Sequence, residues 1–536
     1  MDLEAFPTRF NLCEYFLDRN IEEGRSDKVA VIVGDDRRTY GQVSARVRRL
    51  TAWLRAHGLR PEDRVLIVLP DGHEFVEAWF ACLRAGGVFA MVNPLLKAAD
   101  YAKYLRYTKA RVLITHVDVL PEIGAAASAE RLCERVLVVG ANESAAFGAA
   151  GAAPDEAWTS YEAALGEFAA PLPDGALYHP LSYVEPTGPD DLAGWLFTSG
   201  STGDPKACVH SQRDFAYSTE TYALQVAGYR EDDVCLSVPK LFFGYATGTN
   251  LMFPFRVGAT VVLFPGRSTP EELIAQIERH RPTFLTGVPT LFNNLLKSEQ
   301  AEGMDLSSLR VCLSAGEALP EQLYLDWKAR TGVEILDGIG SAEMFHIYIS
   351  NAPGDVTPGS LGRLVPGYDA EIVGPDGRAV PEGEPGRLRV RGGSTALCYW
   401  AHRSESVETF QADWCTTADI FRRDADGRFW YVGRGDDLLK VSGIWVSPLE
   451  IENALLGHPA VDEVCVVGRE DADGLVKPHA IIVPSEGVQG DDALAGTLKA
   501  HLKDRLAPYK YPRTFDWRSE PLPKNDRGKV ARKLLR

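Results

Sequence analysis

The sequence lacks the cysteine patterns that mark disulfide scaffolds and zinc sites. Its nine cysteines are an odd number, and no two of them form a CxxC pair. An HExxH motif is absent as well, so nothing in the sequence predicts a structural metal. We therefore expect free thiols in a reducing compartment.

Long apolar runs and positive charge are also scarce. No stretch of about 18 apolar residues occurs, and the acidic N-terminus, MDLEAFPTRF, has no apolar core of a signal peptide. Lys and Arg number 57 against 74 Asp and Glu, which gives a net charge of −17. No affinity for nucleic acid or for an anionic membrane is therefore expected, and the predicted location is the cytoplasm.

What is present is an α/β pattern in an ordinary globular composition. A chain of 536 residues, 45% hydrophobic and 24% charged, predicts about two to four domains. Between residues 39 and 340, short apolar runs such as RVLIVLP (64–70) and TVVLFPG (260–266) alternate with helical segments. Runs of this kind are typical of strands buried on both faces, so we expect a large N-terminal domain of mostly parallel sheets.

Two changes of pattern divide the rest of the chain. Between residues 360 and 434, short alternating strands flank the Asp-Gly turns of GPDGRAV and DADGRFW, which predicts a small β-rich subdomain. Beyond it, VSGIWV, EVCVVG and HAIIVP are interpreted as strands and LEIENALLG as a helix. The predicted domains are 1–435, which includes the β-rich subdomain 360–434, and 436–536, a small α+β C-terminal domain.

The most informative local segment is WLFTSGSTGDPK (195–206). Glycines let backbone N–H groups approach an anion closely, hydroxyls add donors, and Lys206 adds charge. The segment therefore predicts a phosphate-binding loop, although its spacing is not that of GxxxxGK[ST]. A plain Ser/Gly linker is the alternative that composition leaves open.

Further motifs give the chain a resemblance to a known enzyme superfamily. In chain order they are SAGEALP (314–320), DGIGSAEM (337–344), WCTTAD (414–419), GRGDDLLKVSGIWVSPLEIE (433–452) and PLPKNDRGKVARK (521–533). Together with the phosphate loop, they resemble the adenylate-forming superfamily of acyl- and aryl-CoA ligases, peptide-synthetase adenylation domains and luciferases. KLFFGY (240–245) and GIGSAEMFHIYISN (338–351) resemble the benzoate-CoA ligases within it. The resemblance covers nearly the whole chain.

The resemblance implies an ATP-dependent aryl carboxylate–CoA ligase that uses ATP, Mg²⁺ and coenzyme A. The acid would attack the α-phosphate of ATP to form an aryl-adenylate and pyrophosphate. The thiol of coenzyme A would then displace AMP and form aryl-CoA. In this superfamily the small C-terminal domain rotates between the two half-reactions, so a mobile C-terminal domain is expected.

The resemblance also assigns roles to individual residues. The implied catalytic residues are Lys529, Lys206 and Glu343, of which Glu343 would hold Mg²⁺. The implied ATP and AMP contacts are Thr198, Ser199, Gly200, Ser201, Thr202, Gly203, Glu317, Asp337, Gly338, Ile339, Asp419 and Arg434. The implied pocket for the aromatic acid is Phe243, Gly244, Tyr245, Ala315, Gly316, Gly340, His346 and Ile347. Asp436 is the implied hinge, and Lys440 and Gly443 are implied in the thioester half-reaction.

Two positions depart from the superfamily's motifs. Ala342 stands where a threonine usually precedes Glu343, which removes a hydroxyl expected to donate to the α-phosphate; Ser341 or a water could replace it. Ala418 stands where a glycine usually precedes Asp419. The motif therefore does not predict the backbone conformation beside Asp419.

The substrate prediction depends on two pocket positions. Gly244 stands where benzoate-CoA ligases typically carry alanine, and the missing methyl leaves room for a small ring substituent. His346 could be the polar partner of that substituent, or it could be a buried core histidine. The predicted substrate is anthranilate (2-aminobenzoate) or benzoate.

Two other functions are compatible with the sequence. One is an adenylation enzyme that loads an aryl group onto a separate acyl carrier protein. The other is a nucleotide-binding regulator without catalysis, which only Ala342 favours.

Overall fold

The structure is a computed structural model of the chain. It describes residues 6–130, 133–141, 158–169, 180–199, 205–298, 303–435, 437–441, 444–471, 476–503, 505–524 and 530–536.

The strands are numbered in chain order. They are β1 (Val29–Val33), β2 (Asp36–Thr39), β3 (Arg64–Val68), β4 (Val88–Met91), β5 (Val112–His116), β6 (Arg135–Val139), β7 (Trp158–Ser160), β8 (Leu192–Ser199), β9 (Pro205–Ser211), β10 (Val234–Ser237), β11 (Thr260–Leu263), β12 (Phe284–Gly287), β13 (Val311–Ser314), β14 (Ile335–Gly340), β15 (Ile347–Ser350), β16 (Arg363–Leu364), β17 (Asp369–Val373), β18 (Gly386–Arg391), β19 (Cys398–Tyr399), β20 (Phe410–Gln411), β21 (Trp414–Arg423), β22 (Phe429–Arg434), β23 (Leu439–Val441), β24 (Ile444–Val446), β25 (Val461–Glu470), β26 (Val476–Pro484) and β27 (Thr514–Trp517).

The α-helices are numbered in the same way. They are α1 (Arg19–Glu22), α2 (Tyr40–Ala56), α3 (His73–Arg84), α4 (Ala98–Thr108), α5 (Leu120–Glu130), α6 (Tyr161–Glu167), α7 (Gln212–Ser218), α8 (Gly244–Thr247), α9 (Phe253–Val257), α10 (Pro270–His280), α11 (Pro289–Lys297), α12 (Glu321–Thr331), α13 (Arg403–Thr409), α14 (Pro448–Leu456) and α15 (Asp492–Lys503).

Two large, mostly parallel sheets form the body of the protein. The first has the order β16-β15-β14-β13-β12-β10-β11-β1-β2, and the second has the order β19-β9-β8-β4-β3-β5-β6-β7. Their central strands are buried on both faces; four of the five residues of β3, for example, are fully covered. This confirms the predicted α/β class with parallel sheets.

The remaining strands form smaller sheets. Strands β17, β18, β20, β21 and β22 make an antiparallel sheet of five strands in the region predicted to be β-rich. The Asp-Gly turns lie where they were predicted: Gly377 and Gly427 both have positive φ, 75° and 78°. Toward the C-terminus, β25, β26 and β27 form one sheet and β23 pairs with β24.

One strand prediction was wrong. VSGIWV is not a single strand, because Leu439–Val441 and Ile444–Val446 pair antiparallel as a hairpin. The predicted domain boundary at 435/436 stays a prediction, because residue 436 lies outside the described residues.

Other sequence expectations can be compared with the described residues. All nine cysteines lie among them, and none is in a disulfide. In the same part of the chain, no helix is long and apolar enough to cross a membrane.

The two large sheets are joined near the carboxyl ends of their parallel strands. After β3, the Asp71 carboxylate accepts a hydrogen bond of 2.8 Å from the backbone N–H of Leu241, which follows β10 in the other sheet. The Tyr399 hydroxyl on β19 likewise donates to Glu343 after β14. Ligands of open α/β sheets bind outside the carboxyl ends of the strands, so the segments that meet here are the candidate site.

Candidate active site

The predicted phosphate loop begins at the end of β8 and ends in β9. The two strands pair antiparallel and place Thr198 opposite Lys206. Gly200, Ser201, Thr202 and Gly203 lie outside the described residues, as does the side chain of Ser199. The Lys206 side chain is only 12% exposed, and its ammonium lies 3.3 Å from the Glu405 carboxylate on α13. A mostly covered cation therefore lies beside the loop that is predicted to bind phosphate.

Glu343 lies in a single 3₁₀ turn, Ala342–Met344, directly after β14. One carboxylate oxygen, Oε1, accepts a hydrogen bond of 2.6 Å from the Tyr399 hydroxyl. Among the described residues nothing donates to the other oxygen, Oε2. A hard carboxylate oxygen that is free in this way fits a Mg²⁺ ion, which binds through one or two carboxylates together with phosphate oxygens.

A buried histidine supports the turn that carries Glu343. The Nε2 atom of His210 lies 2.7 Å from the carbonyl oxygen of Ala342, and its Nδ1 atom lies 2.8 Å from the Asp214 carboxylate. Ala342 thus contributes its carbonyl to the structure of the site, although it lacks a hydroxyl. The adjacent Ser341 Oγ is buried and has no hydrogen-bond partner among the described residues, so it is available to a ligand.

The two predicted ribose contacts meet through strand register. Asp419 on β21 pairs directly with Arg434 on β22. The Thr417 hydroxyl accepts from the Asp419 N–H at 3.1 Å, and the Tyr431 hydroxyl lies 3.4 Å from its carboxylate. Ala418 lies where the pairing of β21 with β18 shifts register, between Thr416 and Ile420, and its carbonyl accepts from the Gly435 N–H at 2.9 Å.

The predicted adenine contacts lie after β13 and along β14. The Glu317 carboxylate accepts from Thr290 on α11 at 3.1 Å. Burial raises the pKa of Asp337 to about 8, so its carboxyl group is largely protonated at neutral pH. Gly338 and Ile339 pair with Ser350 and Ile349 on β15.

The predicted pocket for the acid is built from three segments. Phe243, Gly244 and Tyr245 lie at the start of α8, and Ala315 and Gly316 follow β13. Gly340, at the end of β14, admits no side chain, because a Cβ there would lie 2.5 Å from the His346 carbonyl oxygen. At Gly244 the same atom would lie 3.4 Å from Leu196, an ordinary contact.

His346 is 98% buried among aromatic rings. Its ring centroid lies 4.6 Å from that of Phe253 and 5.5 Å from those of Tyr245 and Tyr222. Its Nε2 atom lies 3.1 Å from the Tyr245 carbonyl oxygen, which can only accept, so Nε2 carries the proton. Burial lowers the pKa of His346 to about 4, so the ring is neutral near pH 7. The Nδ1 atom is then an acceptor, and it has no partner among the described residues.

The backbone between Glu343 and His346 is strained. Phe345 has φ 62° and ψ −54°, and the His346 N–H donates to the Met344 carbonyl at 2.8 Å. This is a γ-turn with positive φ, which is rare for a residue with a side chain. The turn connects two predicted parts of the site. Glu343, before it, is predicted to hold the metal, and His346 and Ile347, after it, are predicted to line the pocket for the acid.

Unpartnered buried groups recur in these segments. In addition to Ser341 Oγ and His346 Nδ1, the Tyr245 hydroxyl is buried without a hydrogen-bond partner in the described part of the chain. Each such group costs roughly 1–3 kcal/mol when nothing satisfies it. A polar ligand bound in these segments would satisfy such groups.

The structure does not bring every predicted residue to the site. Lys529, Asp436 and Gly443 lie outside the described residues. Lys440 is described and is exposed on β23. No cluster of three or more His, Cys, Asp or Glu side chains in the described ranges could hold a metal by itself.

Two residues of the site were missed by sequence reasoning. Tyr399 contacts Glu343, and Glu405 contacts Lys206, yet both come from the segment 398–409, in which no motif was recognised. No spacing in the sequence links either pair. The pairing of β19 with β9 places this segment at the site.

Comparison with known proteins identifies the family. The model of the AMP-binding enzyme family matches residues 17–400, and that of the AMP-binding enzyme C-terminal domain matches residues 450–529. The chain belongs to this family, which confirms the predicted membership of the adenylate-forming superfamily.

Individual relatives agree with the resemblance to benzoate-CoA ligases. A benzoate–CoA ligase of Thauera aromatica is 40% identical over 99% of this chain and 96% of that protein. The crystal structure of the anthranilate CoA ligase AuaEII with anthranoyl-AMP has a TM-score of 0.91 and 36% identity, over 100% of this chain and 98% of that one. The structure of a benzoate CoA ligase from Burkholderia xenovorans LB400 has a TM-score of 0.86 and 38% identity, over 98% of this chain and 100% of that one. The predicted proximity to benzoate-CoA ligases is thereby confirmed.

Proposed function

We propose that the protein is an ATP-dependent aryl-CoA ligase whose preferred substrate is anthranilate, with benzoate also accepted. The family and the relatives make it an AMP-forming acid–CoA ligase, with ATP and coenzyme A as substrates and Mg²⁺ as the associated ion. The finer choice of acid, the individual site roles and the cytoplasmic location belong to the proposal.

The observation that supports anthranilate is the protonation state of His346. A neutral ring with its proton on Nε2 presents Nδ1 as a buried acceptor. The 2-amino group of anthranilate can direct one N–H to its own carboxylate and offer the other to Nδ1. The ring of benzoate carries no such donor, so it would leave Nδ1 unsatisfied.

Different residues bind the acid, the phosphates and the ribose in the first half-reaction. The aromatic walls Phe243 and Tyr245 hold the ring, and His346 orients its substituent. Lys206 and the loop before it contact phosphate oxygens, while Asp419 and Arg434 hold the ribose. Bringing a carboxylate to the α-phosphate joins two anions, so positive charge must lie where negative charge develops.

Two groups meet that requirement in the proposal. Mg²⁺, when bound, neutralises phosphate oxygens as pyrophosphate leaves. Glu343 would hold it through Oε2, and the ammonium of Lys529 would lie against the reacting phosphate. Movement of the C-terminal domain about Asp436 would then remove Lys529 and bring the segment of Lys440 and Gly443 toward the thioester reaction.

The test is pyrophosphate release with a panel of acids, with and without coenzyme A. We expect anthranilate to give the highest kcat/KM, benzoate a lower value, and hexanoate almost none. Without coenzyme A we expect pyrophosphate release to stop at about one equivalent per enzyme, and with coenzyme A we expect it to continue, with aryl-CoA as the product. Adenylate formation with transfer only to a phosphopantetheinylated carrier protein would instead support the carrier-loading alternative.

A matched variant separates the role of His346 from general damage. His346→Phe keeps the ring packing but removes Nδ1, and we expect the anthranilate-to-benzoate ratio of kcat/KM to fall about two- to tenfold. If activity falls equally for both acids, His346 does not recognise the amino group.

A further inference from the structure

We propose that Tyr399 is a positioning residue for Glu343: its hydroxyl holds one carboxylate oxygen so that the other faces the nucleotide-bound Mg²⁺. This inference rests on the proposed function, in which Glu343 is the metal ligand.

The two side chains are joined by a short hydrogen bond. The Tyr399 hydroxyl donates to Glu343 Oε1 at 2.6 Å. The phenol is the donor in this pair, because a carboxylate oxygen can only accept.

Both ends of the hydrogen bond are fixed to different parts of the fold. Tyr399 is 8% exposed, pairs with Cys208 across the β19–β9 ladder, and packs against the ring of Phe410 at 5.1 Å. Its backbone N–H donates to Ser406 Oγ at 3.0 Å. On the other side, the backbone carbonyl of Glu343 accepts from Ala396 at 2.8 Å. A carboxylate held in this way has little freedom to rotate about its last torsion.

This restriction matters because Glu343 is the one side chain that the proposed function gives to Mg²⁺. The described residues contain no group of three or more His, Cys, Asp or Glu side chains that could hold a metal. A single carboxylate binds Mg²⁺ together with phosphate oxygens only if its free oxygen has the right direction. Loss of a group that orients a metal ligand typically costs 10–100-fold in metal affinity or activity.

The chain offers a substitution that isolates the hydroxyl. Tyr399→Phe keeps the ring, including its packing on Phe410 and the ammonium of Lys206 at 5.5 Å from the ring centroid. Tyr40→Phe is the matched control, because its buried hydroxyl also donates a 2.6 Å hydrogen bond, to the Ala259 carbonyl in the core.

The experiment measures how strongly Mg²⁺ tightens nucleotide binding. Isothermal titration calorimetry gives the Kd of ATP in excess Mg²⁺ and in EDTA for the full-length protein and its variants. We expect the gain in affinity from Mg²⁺ to shrink about tenfold in Tyr399→Phe, with the Kd in EDTA within twofold of the original. In Tyr40→Phe the gain should be unchanged. In a Glu343→Gln background, adding Tyr399→Phe should cause little further loss, because the hydroxyl acts through Glu343.

The outcomes separate this inference from the function on which it rests. If the original protein shows no gain from Mg²⁺, the proposed function itself fails at this point. If it shows the gain and Tyr399→Phe retains it, or if Tyr40→Phe loses it equally, Tyr399 does not position the metal ligand. A second loss of equal size in the Glu343→Gln background would also overturn the inference.

Discussion

The ammonium of Lys206 lies 3.3 Å from the carboxylate of Glu405, on the helix that begins four residues after Tyr399. If Lys206 contacts ATP phosphates as proposed, those phosphates compete with this carboxylate. Glu405→Gln should therefore lower the KM for ATP by about two- to fivefold, the range expected for a partly exposed ion pair. The control is Glu408→Gln, an exposed acid on the same helix. An unchanged KM for ATP, or an equal fall in both variants, would show that the pair does not oppose nucleotide binding.

The two pocket glycines should respond differently to alanine. A methyl at Gly340 would lie 2.5 Å from the His346 carbonyl oxygen, so Gly340→Ala should displace that segment and lower kcat/KM more than tenfold, or roughly 1.4 kcal/mol. A methyl at Gly244 meets only ordinary contacts, so Gly244→Ala should stay active and move selectivity toward benzoate. Steady-state kinetics with both acids test this. A tolerated Gly340→Ala, or an unmoved acid ratio in Gly244→Ala, would contradict the pocket geometry.

His346 should make the protein sensitive to acid. Its pKa is about 4 in the folded state against 6.5 for an unperturbed histidine. Because the folded-state pKa is the lower one, His346 is protonated at a higher pH in the unfolded chain than in the folded protein. Its contribution to the free energy of unfolding is therefore fully present above about pH 6.5 and is lost as the pH falls toward 4. Between pH 7.5 and pH 5 the loss is ~2 kcal/mol.

The variant His346→Phe removes this contribution. On going from pH 7.5 to pH 5, its Tm should fall less than that of the original protein, by about 2 °C. Differential scanning calorimetry of the two proteins at both pH values gives the comparison. Parallel decreases in Tm would mean that His346 is not buried as a neutral ring.

The strained turn at Phe345 predicts that glycine at this position gives a more stable but less active protein than alanine. Phe345→Ala and Phe345→Gly both remove the ring that lies 4.5 Å from Phe215, but only glycine adopts φ 62° at little cost. Phe345→Gly should therefore melt about 2–4 °C above Phe345→Ala. It should also have the lower kcat, because the turn is less firmly held. Equal Tm values for the two variants would mean that the turn stores no strain.

Much of the fold could be predicted from the sequence because its strands have a strong local pattern. Runs such as RVLIV in β3 are apolar throughout, and Asp-Gly pairs mark turns at Gly377 and Gly427. VSGIWV was misjudged because a Ser-Gly pair within a short apolar run can equally mark a turn, and the residues on either side of this pair are in two strands that pair antiparallel.

The contacts within the site could not be predicted in the same way. His210 and Ala342 are 132 positions apart, and Tyr399 and Glu343 are 56 apart. Such pairs depend on which strands are neighbours and on side-chain direction, neither of which leaves a periodic signal. The motifs predict which residues contact the ligands, whereas the structure shows which side chains pack against and hydrogen-bond to those residues.

The most direct test of the account is the fate of the carboxylate oxygen of the acid. The protein is incubated with ATP, Mg²⁺, coenzyme A and anthranilate labelled with ¹⁸O in its carboxylate, and AMP and anthraniloyl-CoA are analysed by mass spectrometry. An aryl-adenylate route transfers one labelled oxygen from the acid to the phosphate of AMP, in a one-to-one ratio with anthraniloyl-CoA. Unlabelled AMP, or label in inorganic phosphate with ADP as the nucleotide product, would contradict the proposed adenylate-forming mechanism.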